Sequence, residues 1–263
     1  MQKRLISMVL ALSMALTAMP LPALAQSAPP DTASAAALAE ENDDVTNIYV
    51  EEYSGKPVGD LFGGGNGSWS YDEASNTLTL KTGTFRLYNY GYDSYYNNCI
   101  KWNVKIEPGA TLQEARIGSE YHNGYTVTNA GTISGGTFYG KVICEAGAVI
   151  SGGTFKGNAI VNAAGGEVTI EGGTFEYTVY VNAVDTLTIN GGTFTGGTGR
   201  SMEINDATAK VVINGGSFES AIKDHNTAAA ITINSGLFKS FLYGAAQNCT
   251  VNGGLFTSED TPL

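Results

Sequence analysis

The chain has 263 residues, with 14 Lys and Arg against 25 Asp and Glu and a formal net charge of −11. That balance opposes the basic patches on which nucleic-acid or anionic-lipid binding depends, so no nucleic-acid partner is expected. A charged fraction of only 15%, with 34 Gly and 14 Tyr, suits an extracellular β-rich protein.

Residues 1–25 read as a signal peptide. Lys3 and Arg4 precede an apolar run from Leu5 to Met19, and Ala23-Leu24-Ala25 supplies small residues for cleavage. The run is short for a bilayer span, and Pro20 and Pro22 interrupt it. No membrane span is expected after cleavage, and the protein is expected to be secreted and extracellular. Losing Lys3 and Arg4 takes the net charge from −11 to −13. Residues 26–45 form an acidic leader with little to bury and are expected to be disordered, although Ala33 to Glu41 suits a short helix.

Residues 46–132 are expected to hold an N-terminal cap and degenerate coils. Within them Tyr88, Tyr90, Tyr92, Tyr95, Tyr96 and Trp102 form an aromatic-rich stretch. Tyr88, Tyr90 and Tyr92 alternate, so an extended segment would project them from one face. Aromatic faces with polar tips stack on sugar rings, which makes these six residues the candidate glycan-binding site. The competing reading is a loop packed over the helix.

Residues 133–263 carry a regular repeat: an aliphatic residue, Gly three positions on, Phe five positions on. It runs as Ile133-Gly136-Phe138, Ile150-Gly153-Phe155, Ile170-Gly173-Phe175, Ile189-Gly192-Phe194, Ile213-Gly216-Phe218, Ile233-Gly236-Phe238 and Val251-Gly254-Phe256. Leu80-Gly83-Phe85 reads as an earlier copy, and Ile106 to Leu112 as a degenerate coil that keeps Gly109. Between Ile133 and Val251 the anchors lie 17 to 24 residues apart, so the motif marks where coils register and the variable lengths are loops. Val168, Leu187, Val211, Ile231 and Cys249 lie two residues before their anchors and share the inward face; the Thr residues between face out. The strict Gly implies positive φ or close backbone approach. Asn162, Asn182, Asn205 and Asn226 suggest a buried structural ladder. The fold class is all-β: a right-handed single-stranded parallel β-helix of about eight to nine coils, with the Phe rings stacked inside about 4.8 Å apart.

The repeated I-x-G-G-T-F units resemble those of pectin-lyase-like right-handed parallel β-helix proteins, and are similar to uncharacterised surface-repeat proteins secreted by Gram-positive gut bacteria. Trp69 to Asp72 followed by Asn76 to Leu80 resembles the strand pair that opens such repeats. The resemblance implies the fold and leaves the function open. The Asn-Thr-Asp, Asp-Asp and Gly-His-Gly motifs of the polygalacturonase type do not occur on the coils, nor does the carboxylate cluster with an Arg base of the pectate-lyase type. No catalytic residue, metal ligand or cofactor is assigned.

Glu114, Arg116, Glu120 and His122, and separately Asp224-His225, read as solvated loops. Three cysteines, Cys99, Cys144 and Cys249, indicate no disulfide framework. Three functions compete. The first is a non-catalytic secreted or surface-associated module that binds polysaccharide or a host or cell-surface protein. The second is a polysaccharide lyase or glycoside hydrolase with an unfamiliar site, and the third is a spacer without ligand. Only a short tail follows Phe256, so weak end-to-end self-association or a frayed last coil is expected.

Overall fold

A computed structural model of the chain describes residues 44–50, 55–59, 67–89, 99–120, 123–197, 199–226, 228–240, 242–244 and 248–257. The signal segment, residues 26–43 of the leader with its expected helix, and Tyr90, Tyr92, Tyr95 and Tyr96 lie outside the described residues, while the leader's last residue, Val45, opens the first strand. Among those described, every regular element is a strand. Parallel strands of successive coils pair into an 18-stranded and an 8-stranded sheet, which makes the fold a parallel β-solenoid.

Alternation along each strand decides what faces inward. On one face of the coil Val142, Ala159, Val179, Met202 and Ile222 align from coil to coil, as do Cys144, Val161, Val181, Ile204 and Asp224. On the second face Leu112, Ile133, Ile150, Ile170, Ile189, Ile213, Ile233 and Val251 form the anchor column. On the third the Phe rings stack from Phe138 to Phe256, with neighbouring centroids between 4.6 Å and 5.2 Å. The six rings from Phe138 to Phe238 are fully buried.

The strict Gly of each repeat has positive φ, 102° at Gly173. That turn brings the following Phe back inside, and an L side chain rarely adopts it. At Gly172, just before it, an added Cβ would meet the carbonyl oxygen of Ser151 at 2.8 Å. Ser235 stands at the equivalent place two repeats before the end, so a small side chain is accommodated there.

Two expected copies change register. Phe85 pairs with Leu112 and so belongs to the anchor column, while Leu80 pairs with Ile106 on another face. Leu80-Gly83-Phe85 thus matches the repeat in spacing and not in placement. The ring column instead begins at Ile117, which pairs with Phe138. The coil read at Ile106 to Leu112 therefore carries its motif as Leu112-Ala115-Ile117, with Ala115 for Gly and Ile117 for Phe.

The Asn ladder also differs. Asn162 lies opposite Ala183 across an irregularity in the pairing, so it does not stack on Asn182. Asn182 and Asn205 do bond, the latter's Nδ2 donating to the former's Oδ1 at 2.9 Å, and all four of these residues are exposed rather than buried. A longer ladder runs one residue after the anchor. Asn190 donates to Glu171, Asn214 to Asn190, Asn234 to Asn214 and Asn252 to Asn234, at 2.7 to 3.0 Å.

At the N-terminal end β1 (Val45–Val50), β2 (Pro57–Val58), β3 (Ser68–Asp72) and β4 (Thr77–Tyr88) close the stack. β3 and β4 are the expected antiparallel opening pair, and β1 lies parallel on the second half of β4. At the other end Val251, Leu255 and Phe256 are 38%, 61% and 37% exposed. The three cysteines form no disulfide with one another, and Cys249 pairs with Ile231 in the column expected for it.

Three outcomes follow from this winding. Phe175→Ala removes a ring held between Phe155 and Phe194, and should cost about 3–5 kcal/mol in denaturant unfolding; a loss below about 1 kcal/mol would place the ring outside. Gly173→Val should destabilise more than Gly172→Ser, by at least the roughly 1–2 kcal/mol of a left-handed residue, as read from the two unfolding midpoints. In hydrogen exchange, amides of residues 249–256 should exchange faster than those of 168–175, or gain protection only at high protein concentration.

Candidate functional site

Two of the six expected aromatic residues are described. Tyr88 is half-buried, stacks on Tyr49 with centroids 5.7 Å apart, and donates its hydroxyl to Glu114 Oε2 at 3.3 Å. Trp102 is 2% exposed, packs against Tyr71 at 6.0 Å, and donates its indole N–H to the carbonyl of Gly55 at 2.9 Å. Its ring faces the core and is not offered to a sugar in solvent. The segment around Gly55 that covers it comes from far away in sequence, which the local aromatic pattern could not disclose.

A groove opens elsewhere, at the corner where the coil leaves the Phe ladder. Three successive coils make this corner in the same number of residues: Phe138 to Val142, Phe155 to Ala159, Phe175 to Val179. The pairings before and after the corner align Gly140, Gly157 and Tyr177 in one column. The two glycines are required by close backbone approach. An added Cβ would lie 1.9 Å from the carbonyl oxygen of Tyr125 at Gly140, and 2.2 Å from that of Gly140 at Gly157. A space of about 350 Å³ lies beside Tyr177, which is 44% exposed.

The walls are aromatic and polar. Tyr139 and Lys156 occupy the position after the Phe, Lys141 and Asn158 the position after the Gly, and Asn123 closes one side. Arg116 and Lys156 approach the Tyr139 ring at 5.5 Å and 5.7 Å from the coils before and after it. Cations over a ring face are attracted to its electron density, so Tyr139 is engaged on its faces. Glu176 pairs with Lys156 at 3.3 Å, and the hydrogen bond that the ammonium donates to that carboxylate holds Lys156 above its ordinary pKa. Lys141 forms no ion pair with any described residue, and the side-chain amides of Asn123 and Asn158 make no hydrogen bond with one. These groups stand ready for a ligand's hydroxyl or acidic oxygens.

Glu203, His225 and Asp224 are engaged within the fold. Glu203 is bound by Arg200 Nη1 and by His225 Nε2, the latter at 2.9 Å. Burial pushes the Glu203 carboxyl up, but hydrogen bonds and charge from Arg200 and His225 outweigh it and hold the group below the usual glutamate range. An ionised carboxylate is the wrong state for a general acid. Asp224, expected to be solvated, is 2% exposed in an inward column. Its oxygens accept the backbone N–H groups of Asn226 and Ala229 at 3.0 Å and 3.2 Å, so it builds a turn. Buried Cys144 has its thiol pushed up to about 12 by desolvation, which leaves it protonated and unreactive.

Local sequence does not disclose the groove, because its two short runs, Tyr139 to Lys141 and Lys156 to Asn158, meet each other and Tyr177 only through the stacking of coils. The available signal was the equal corner length in three consecutive coils, with Gly, Gly and Tyr at one place. No protein-family description, curated protein or solved structure matches this chain.

Proposed function

We propose that this chain is a non-catalytic secreted β-solenoid module, wound right-handed in the pectin-lyase-like manner, that binds glycan in the Tyr177 groove. The observation that carries the reading is an exposed tyrosine ring beside Lys141, Asn123 and Asn158, whose side chains are unengaged among the described residues, in a groove that Gly140 and Gly157 help to line. An aromatic face takes the apolar side of a pyranose, and the amides and ammonium take its hydroxyls; sites that bury ligands combine these two elements. The acidic net charge and the commitment of Glu203 to Arg200 and His225 favour binding over hydrolysis.

A second contact is favoured by the exposed residues of the last described coil. Val251, Leu255 and Phe256 present an apolar rung whose outer edge no described strand pairs, which suits weak end-to-end self-association.

A glycan array with the secreted chain tests the reading. Binding should fall about tenfold or more in Tyr177→Ala, the loss of one stacked ring, while the melting temperature stays close to that of the parent. Product analysis for unsaturated or new reducing ends on the captured glycan should show none. Release of such ends would make the chain an enzyme, and an array with no captured glycan would leave the spacer reading.

A further inference from the structure

Asparagine followed by glycine is the dipeptide most open to one spontaneous reaction. The backbone nitrogen of the glycine attacks the side-chain carbonyl carbon of the asparagine. A C–N bond forms, ammonia leaves with the proton of the attacking nitrogen, and a cyclic imide remains. Water then opens the imide at either carbonyl, giving aspartate or isoaspartate. This is one reason that asparagine is thermolabile, and glycine assists because no Cβ shields its nitrogen. Among the described residues Asn123, Asn190, Asn214 and Asn252 precede glycine, and all four are exposed.

Exposure does not separate these sites, but the stacking of coils does. Asn190 donates to Glu171 and accepts from Asn214, which in turn accepts from Asn234. The glycines that follow them are packed on the preceding coil. An added Cβ would run into the carbonyl oxygen of Glu171 at Gly191, and into that of Asn190 at Gly215. Closing the imide ring turns the backbone between the two residues, so each of these sites must first open locally and lose its bonds. Asn252 repeats the arrangement on the last described coil, with its amide on Asn234 and Gly253 against the carbonyl of Asn234. Asn123 has none of this. Among the described residues its amide makes no hydrogen bond, and neither its backbone N–H nor that of Gly124 donates to a carbonyl. A Cβ at Gly124 would meet nothing within 4 Å.

We infer that Asn123 is a site of spontaneous covalent modification, the place among these four where the fold leaves the reaction unhindered. The consequence falls on the groove. Its lining holds the ammonium groups of Lys141 and Lys156 and no carboxylate, and conversion of Asn123 introduces one. Resting on the glycan reading above, the groove then loses an amide donor and gains a negative charge, so that ligand binding declines as the protein ages.

The test is a peptide map by mass spectrometry of the full chain, incubated at mildly alkaline pH both folded and in urea. In the folded chain Asn123 should convert faster than Asn190 and Asn214 by about tenfold or more, the cost of one or two lost hydrogen bonds. In urea the three should convert at similar rates. Gly124→Ala, whose methyl has free space, should slow conversion of Asn123 and leave the melting temperature close to that of the parent. No conversion at Asn123, or conversion of Asn190 or Asn214 at its rate in the folded chain, overturns the inference. So does the folded-state ranking persisting in urea, which would make it a property of local sequence. Binding is read separately. Asn123→Asp should lower capture of the glycans that the parent holds on the array by about tenfold. Unchanged capture overturns the consequence for the groove and leaves the modification standing. A parent that captures no glycan overturns the glycan reading, and the peptide map then decides the modification by itself.

Discussion

Each coil must offer its backbone N–H and C=O groups to the coils on both sides, at sheet spacing. That one requirement governs the rest of the structure. Parallel pairing puts equivalent residues in contact, so an inward position repeats its neighbour's chemistry coil after coil. The Phe rings meet face to face for this reason, with Phe175 and Phe194 centroids 4.7 Å apart and their planes 1° from parallel. Side chains alike in shape fill such a column without voids, and a polar residue enters only where it brings its own partners. Asp224 meets that condition by accepting two backbone N–H groups, and buried Asn129 by bonding Gly131 and Val149.

The same requirement explains where variation is tolerated. Backbone pairing has to be restored at the anchor and the ring, and not between them. The corner after Phe194 is longer than its neighbours, running to Met202 before pairing with Val179 resumes. A loop at that place costs little beyond its closure entropy. The short corners on the preceding coils are the tight ones. There backbone approaches backbone so closely that Gly140 and Gly157 cannot carry a side chain. The groove lies at these corners, with Tyr177 as part of its lining on the third coil.

Charge is arranged along the stack in a related way. Lys156 with Glu176, and Lys239 with Glu219, join successive coils at the position after the ring. Such exposed pairs add little stability each. Among the described residues Lys141 makes no such pair, although Lys156 beside it in the groove does. The Asn ladder from Glu171 to Asn252 does for amides what these pairs do for charges, linking each coil to the next on the outer surface.

The amino-acid sequence by itself determined the winding unit. Inward alternation and the Gly three residues after the anchor are local features, so Ile170-Gly173-Phe175 announces its turn and its buried ring without any knowledge of neighbours. It also disclosed the opening strand pair around Trp69 and Leu80, whose turn at Asn76 is local. Tertiary structure alone decided which coil meets which. Leu80-Gly83-Phe85 has the right spacing, yet pairing with Leu112 puts Phe85 in the anchor column. Trp102 looked like a surface aromatic until the chain near Gly55 closed over it. Tyr177, Lys141 and Asn158 come together because three corners have equal length, so that residues 17 to 36 positions apart in the chain fall on three successive coils. A site made by stacking is invisible along the chain, since its geometry resides in the register between coils and not within any one of them.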